Sequence, residues 1–202
     1  MAAAPARIGI MGGTFDPPHL AHLAIASDAC ARLGLERVLF VPAAAPPHKD
    51  TGGHTPPAAR LVMTELAVEH DMRFVASGLE IERDLVYTRD TLAAVAGRFP
   101  GRELFFIMGS DSLLQFDSWH DPEDILALGS LVVAPRPGDD AAAVRVAASR
   151  WDAGRVTLLD SPLLGISSSL IRARVAAGLP VRYLVPEDVE LYLAEHGLYA
   201  AP

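Results

Sequence analysis

Arg7-Ile8-Gly9-Ile10-Met11-Gly12-Gly13-Thr14-Phe15-Asp16-Pro17-Pro18-His19-Leu20-Ala21-His22 reads as a short buried strand over 7–11 that opens into a glycine turn and then a helix. Gly12 and Gly13 let backbone N–H groups approach an anion, and Pro17 and Pro18 delay the helix start. The helix N-terminus adds its partial positive charge. On such a helix His19 and His22 are three residues apart and project from one face. This is phosphate-binding architecture, but of neither common kind. Gly9, Gly12 and Gly13 do not fit G-x-G-x-x-G, and G-x-x-x-x-G-K-[ST] does not occur in the sequence. A different nucleotide chemistry is indicated.

Outward from this stretch, short apolar strands alternate with longer helical patterns. Strands are predicted over 37–41, ending at 75, and over 103–108, 131–134 and 156–159. Helices are predicted over 19–33, 57–70, 88–99, 167–178 and from 186 to about 196, and residues 136–140 form a turn with a helix start. This order predicts an α/β fold with a mostly parallel sheet and helices on both faces. Ligands gather at the carboxyl ends of such strands. The glycine turn, Pro42 and Gly109-Ser110-Asp111 all fall there. Residues 43–56, broken by Pro46, Pro47, Gly52, Gly53 and Pro56, read as a loop beside the site.

With 202 residues, 50% of them hydrophobic, the chain can bury a substantial core as one domain over 1–202. A net charge of −8 disfavours nucleic acid as a partner, which needs many simultaneous cationic contacts. A small anionic substrate is still compatible with a local cluster of cations. Cys30 is the only cysteine, which fits a reducing cytoplasm. No secretory pattern or apolar run of bilayer length occurs, so no membrane association is expected. A homo-oligomer is allowed but not demanded.

G-G-T-F-D-P-x-H-x-x-H, with Gly165-Ile166-Ser167-Ser168-Ser169-Leu170-Ile171-Arg172, resembles the H-x-G-H and I-S-S-T-x-I-R signatures of the nucleotidylyltransferase superfamily. Pro46-Pro47-His48-Lys49, Tyr87-Thr88-Arg89-Asp90-Thr91-Leu92, Gly109-Ser110-Asp111-Ser112 and Trp119 succeed it in the order of the bacterial nicotinate-nucleotide adenylyltransferases. The resemblance covers nearly the whole chain. Ala21 stands where the family has glycine, and Ser169 where it has threonine. The resemblance implies a Rossmann-like nucleotidyltransferase joining ATP to nicotinate mononucleotide, with magnesium carried on the ATP and no dedicated metal site. Nicotinamide mononucleotide or phosphopantetheine as acceptor, and a nucleotide sensor without turnover, are the rival readings.

Taken residue by residue, the resemblance makes His19, His22 and Arg172 the expected catalytic groups. A bare H-x-x-H is also found as surface histidines or half a zinc site; the glycine-rich setting favours hydrogen bonds to ATP phosphates. Gly12, Gly13, Thr14, Phe15, Ser167, Ser168 and Lys49 join the expected ATP site, with the C-terminal helices (about 166–202) completing it. Ser167 and its neighbours also read as a simple helix cap. Lys49 is the one lysine beside 16 arginines. His48, Thr88, Asp111 and Trp119 are expected at the acceptor, Trp119 stacking on the pyridine ring. Asp111 and Thr88 read equally as helix caps. No arginine or lysine adjoins Trp119 in the sequence, so backbone N–H groups and a hydroxyl are expected to receive the acceptor's carboxylate.

Overall fold

The computed structural model describes residues 6–45, 55–151 and 154–201. Its strands are β1 (Arg7–Gly13), β2 (Arg37–Pro42), β3 (Phe74–Ala76), β4 (Glu103–Gly109), β5 (Ser130–Ala134) and β6 (Val156–Leu158). They form one sheet in the order β3-β2-β1-β4-β5-β6, with every pairing parallel. Successive side chains point to opposite faces, and both faces are buried. Ile8, Ile10, Leu39, Val41, Phe106 and Leu131 enter one core, and Met11, Val38, Phe40, Ile107 and Val132 the other.

The connections carry α1 (Leu20–Leu33), α2 (Pro57–Val68), α3 (Leu79–Arg83), α4 (Thr88–Arg98), α5 (Ser110–Leu114), α6 (Pro122–Leu128) and α7 (Ala141–Arg150); α8 (Ser168–Ala176) and α9 (Glu187–Glu195) come after β6. Ala26, Ala29 and Cys30 of α1 pack on the second core, and the helix stops at Gly34 in the left-handed region, φ 62°. Asp140 caps α7, accepting from the Ala142 N–H at 2.8 Å. A third cluster joins α2 to the C-terminal helices through Met63, Ala67, Ile171, Val189 and Leu193. Ile171 is fully buried, so truncating it to alanine costs about 2–5 kcal/mol. That packing holds the start of α8 against the turn after β1.

The site's location is set by the pairing. β1 bonds to β2 as far as Gly13↔Pro42 but to β4 only as far as Met11↔Ile107. Beyond that point the two strands part, opening a crevice at the topological switch point of a 3-2-1-4-5-6 sheet.

Several boundaries differ from expectation. Gly12 and Gly13 continue β1 instead of forming the turn, because the ladder to β2 runs through them. The left-handed residue is Phe15, φ 49°, and a Cβ on Gly13 would come within 3.2 Å of its ring. A side chain at Gly13 would therefore press on that ring, which would have to give by a few tenths of an ångström. His19 is the extended cap of α1, φ −149°, instead of its first helical residue. Tyr87, not Thr88, occupies the cap position of α4. α3, α5 and α6 span 5, 5 and 7 residues, too short for an apolar repeat to register.

Candidate active site

The turn beyond β1 has its carbonyls bound from behind. Arg60 of α2 donates to Thr14 O at 2.7 Å, Arg172 of α8 to Asp16 O at 2.7 Å, and Ser168 to Pro17 O at 2.8 Å. The Tyr199 hydroxyl donates to Asp16 Oδ1 at 2.5 Å and accepts from Thr55 Oγ1 at 3.1 Å. Burial, then the Asp16 carboxylate, raises the Tyr199 pKa and keeps the phenol protonated. In a trans peptide the N–H points opposite the C=O. Holding Thr14 O inward thus directs the Phe15 N–H to the other side of the turn. Pro17 and Pro18 have no N–H to satisfy.

The Phe15 ring is buried, meeting Phe40 at 5.8 Å and the His22 ring edge-on at 5.0 Å. As a predicted ATP-binding residue it can offer only its backbone. Its side chain is a floor for His22.

The two histidine rings stack, centroids 3.6 Å apart at 15°. His22 Nδ1 accepts from the His19 backbone N–H at 3.2 Å. A neutral imidazole carries one proton, so this bond assigns it to Nε2 and makes His22 a donor there. Burial lowers the His22 pKa well below 6.5, with His19 and then Arg136 contributing. Burial lowers that of His19 to about 4, again helped by Arg136. Both rings are therefore neutral near pH 7. Nδ1 of His19 is buried without a hydrogen-bond partner among the described residues; such an atom ordinarily costs about 1–3 kcal/mol.

His19, Ala21, His22, Arg136 and Ser167 line a cavity of about 280 Å³. Ser167 caps α8, accepting from the Leu170 N–H at 3.1 Å. Arg136 lies just past β5 and donates to Asp111 Oδ2 at 2.5 Å; both side chains lie across Gly109, where a Cβ would strike Asp111 Oδ1 and come within 3.1 Å of Arg136 Nε. Asp111 is in the first turn of α5 and does not cap it. Its ion pair places it on the histidine side of the crevice. A larger hollow of about 490 Å³ at the β3 edge is lined by residues such as Val62, Leu66, Met72 and Val75. It contains neither histidine nor arginine, so chemistry rather than size assigns the site.

Thr88 and Trp119 belong to a second group. The Trp119 ring packs on Phe106 and Phe116 at 6.0 and 5.4 Å, at the margin of the first core. Its sequence neighbours Asp117, Ser118, His120 and Asp121 are all polar, yet the ring itself is packed against aromatic side chains. Phe106 also lies under Gly12, 3.3 Å from where a Cβ would stand, linking this group to the end of β1. Tyr87 stacks on His120 at 4.1 Å. Arg89, beside Thr88, donates to Asp121 at 2.9 Å and pairs with Asp90. An arginine therefore does stand by the tryptophan loop, contrary to the sequence expectation, because α4 brings it across from 32 positions away. Trp151 packs on Phe116 at 4.9 Å, at the edge of the first core. His48 and Lys49 lie outside the described residues.

Arg60, Arg136, Asp16 and Tyr199 were not singled out from sequence. Asp16 lay within the quoted motif and could have been. Arg60 sits in an ordinary helical pattern, and Tyr199 is 183 positions from its partner.

Residues 10–174 match the cytidylyltransferase-like family model. The chain is 42% identical over 96% of its length to the "Probable nicotinate-nucleotide adenylyltransferase" of Saccharopolyspora erythraea, covering 89% of that protein. It is 44% identical to the protein of the same name from Thermomicrobium roseum, covering 96% of this chain and 91% of the relative. The chain belongs to the nicotinate-nucleotide adenylyltransferase family. The fold agrees. Plasmodium falciparum nicotinic acid mononucleotide adenylyltransferase complexed with NaAD superimposes with a TM-score of 0.78 at 20% identity, over 96% of this chain and 97% of that one. The architecture is thus Rossmann-like, as the strand order implied, and no helix among the described residues is long and apolar enough to cross a membrane.

Proposed function

We infer that the protein transfers the adenylyl group of ATP to nicotinate mononucleotide, giving nicotinate adenine dinucleotide and pyrophosphate in NAD biosynthesis. Family membership over nearly the whole chain supports the reaction. The observation that carries the assignment of roles is the stacked, neutral histidine pair at the switch-point crevice. An oxygen of the acceptor's phosphate attacks the α-phosphorus, and the bond from that phosphorus to the bridging oxygen breaks, releasing pyrophosphate. Such a transfer needs position and charge stabilisation more than covalent help from the protein. His22 Nε2–H donates to a phosphate oxygen as charge builds there, and His19 lies beside it. Ser167 and the first amides of α8 meet the β- and γ-phosphates, so the C-terminal helices complete the ATP site.

Arg172 uses Nη1 on Asp16 O and contacts Ser169 through Nη2 at 3.3 Å. It serves the ATP site through the turn as well as by its charge. Among the described residues no group of three or more His, Cys, Asp or Glu side chains could hold a metal. Magnesium would be carried by the triphosphate oxygens, neutralising their charge. Trp119 and the Tyr87-Thr88 segment receive the pyridine ring. A cytoplasmic location, which the single cysteine also suits, is the expected setting for an ATP-using reaction.

Pyrophosphate release with ATP, magnesium and a panel of acceptors tests this. Nicotinate mononucleotide should be preferred over its amide by at least about 10-fold in kcat/KM, or roughly 1.4 kcal/mol, because donors arranged for a carboxylate are left unpaired by an amide NH₂. Turnover only with phosphopantetheine would overturn the acceptor; binding of ATP with no turnover on any acceptor would favour a sensor.

A further inference from the structure

We propose that Arg60 is a positioning residue for the triphosphate, acting through the turn after β1; the proposal rests on the ATP reading above. Arg60 touches no expected substrate atom. Only 1% of its surface is exposed, and its guanidinium is used up on main-chain carbonyls. Nη1 donates to Thr14 O at 2.7 Å, Nη2 to Ala43 O at 2.6 Å and more distantly to Ala44 O at 3.4 Å, and Nε to Thr55 O at 3.0 Å. One planar fork therefore joins the phosphate turn, the exit of β2 and the approach to α2, three segments distant in sequence. Ala43 N–H in turn donates to Gly13 O at 2.9 Å, so the β2 exit is tied to β1 just before the turn.

The consequence runs from Arg60 to the reacting end in two short steps. Fixing Thr14 O fixes the peptide plane that aims the Phe15 N–H, and it fixes Phe15 in its left-handed conformation. Phe15 supports the His22 ring. A lysine could hold one or two of these carbonyls but cannot span the set with a planar fork. A residue serving only the fold would not discriminate between the two substrates.

Arg60→Lys and Arg60→Met are compared with Val68→Ala, which truncates a buried side chain of the same helix that packs on the sheet instead of on the C-terminal helices. Each protein is checked by thermal melt and assayed for pyrophosphate release below its melting range. Separately, ATP with magnesium is titrated calorimetrically. Arg60→Met should raise KM and Kd for ATP by about 10-fold or more, the size of losing a charged hydrogen-bond donor, with the acceptor KM within about 2-fold. Arg60→Lys should lie between it and wild type, and Val68→Ala should lower Tm with no such split. If Arg60→Met does not fold, the same split in Arg60→Lys decides. Equal losses for both substrates, or unchanged ATP affinity in a folded Arg60 variant, would overturn the proposal. Failure of wild-type turnover with nicotinate mononucleotide would instead count against the acceptor reading, and the ATP titration would still judge Arg60.

Discussion

The two sides of the crevice are built on different physical terms. On the histidine side the turn's carbonyls are bound by Arg60, Arg172 and Ser168, His19 is 4% exposed, and the rings are stacked and neutral. On the tryptophan side the charged groups are in half-exposed ion pairs. The side chains of Arg89 and Asp121 are 34% and 43% exposed. The first side desolvates its imidazoles and its turn on folding, with the Arg136–Asp111 pair at its margin still 51% and 41% exposed, whereas the second holds its charges in such half-exposed pairs. A transferring phosphoryl centre gains from donors that need no rearrangement. In the proposed reading the Trp119 ring needs only a flat partner, which stacking selects loosely.

The largest expected effect tests the rigid side. His22→Ala should lower kcat about 10²- to 10³-fold, with a smaller change in ATP affinity, since it removes one preorganised donor. An unchanged kcat in folded protein would remove His22 from the reaction.

Next comes the pH dependence of stability. The folded protein holds His19 neutral down to about pH 4, whereas an unfolded histidine takes up a proton near 6.5. Its contribution is complete above pH 6.5 and is lost as pH falls toward 4, by up to about 3 kcal/mol. Glu80 acts oppositely. Burial pushes its carboxyl up to about 7, opposed by Thr91 and other hydrogen bonds, so it favours folding below the usual carboxylate range and loses that contribution as pH rises to 7. Urea unfolding from pH 4 to 7.5 should therefore rise more steeply with pH in Glu80→Gln than in wild type, and less steeply in His19→Asn. Parallel curves for the three proteins would refute both assignments.

A smaller effect separates the sides by substrate. Trp119→Ala should raise the acceptor KM by about 10-fold through lost stacking and leave the KM for ATP nearly unchanged, while Arg172→Ala does the reverse. Steady-state kinetics with each substrate varied would expose an exchange of roles. The smallest concerns the exposed pairs. Arg89→Gln should change stability by less than about 1 kcal/mol, measured by urea unfolding. A larger loss would mean that the tryptophan side is as rigidly held as the other.

The sequence by itself determined the parallel character of the sheet, the presence of a turn after the first strand and the family, while the strand pairing placed Gly12 and Gly13 in β1 and the turn beyond them. Those signals are local. Apolar runs such as 103–108 and the G-G-T-F-D-P spacing are written in neighbouring residues, and Ser167 as a helix cap depends only on the few residues after it. Tertiary structure decided which groups hold the turn after β1 from behind. Arg60 reads as one more polar residue of a helix until its carbonyls at positions 14, 43 and 55 are brought around it. Tyr199 acquires a partner only when α9 folds back onto α2. The tautomer of His22 depends on a 3.2 Å bond to a cap whose conformation the sequence reading placed inside the helix. Local propensity is set over a few residues, whereas burial, pKa and hydrogen-bond partnership are set by segments that meet only in the folded chain.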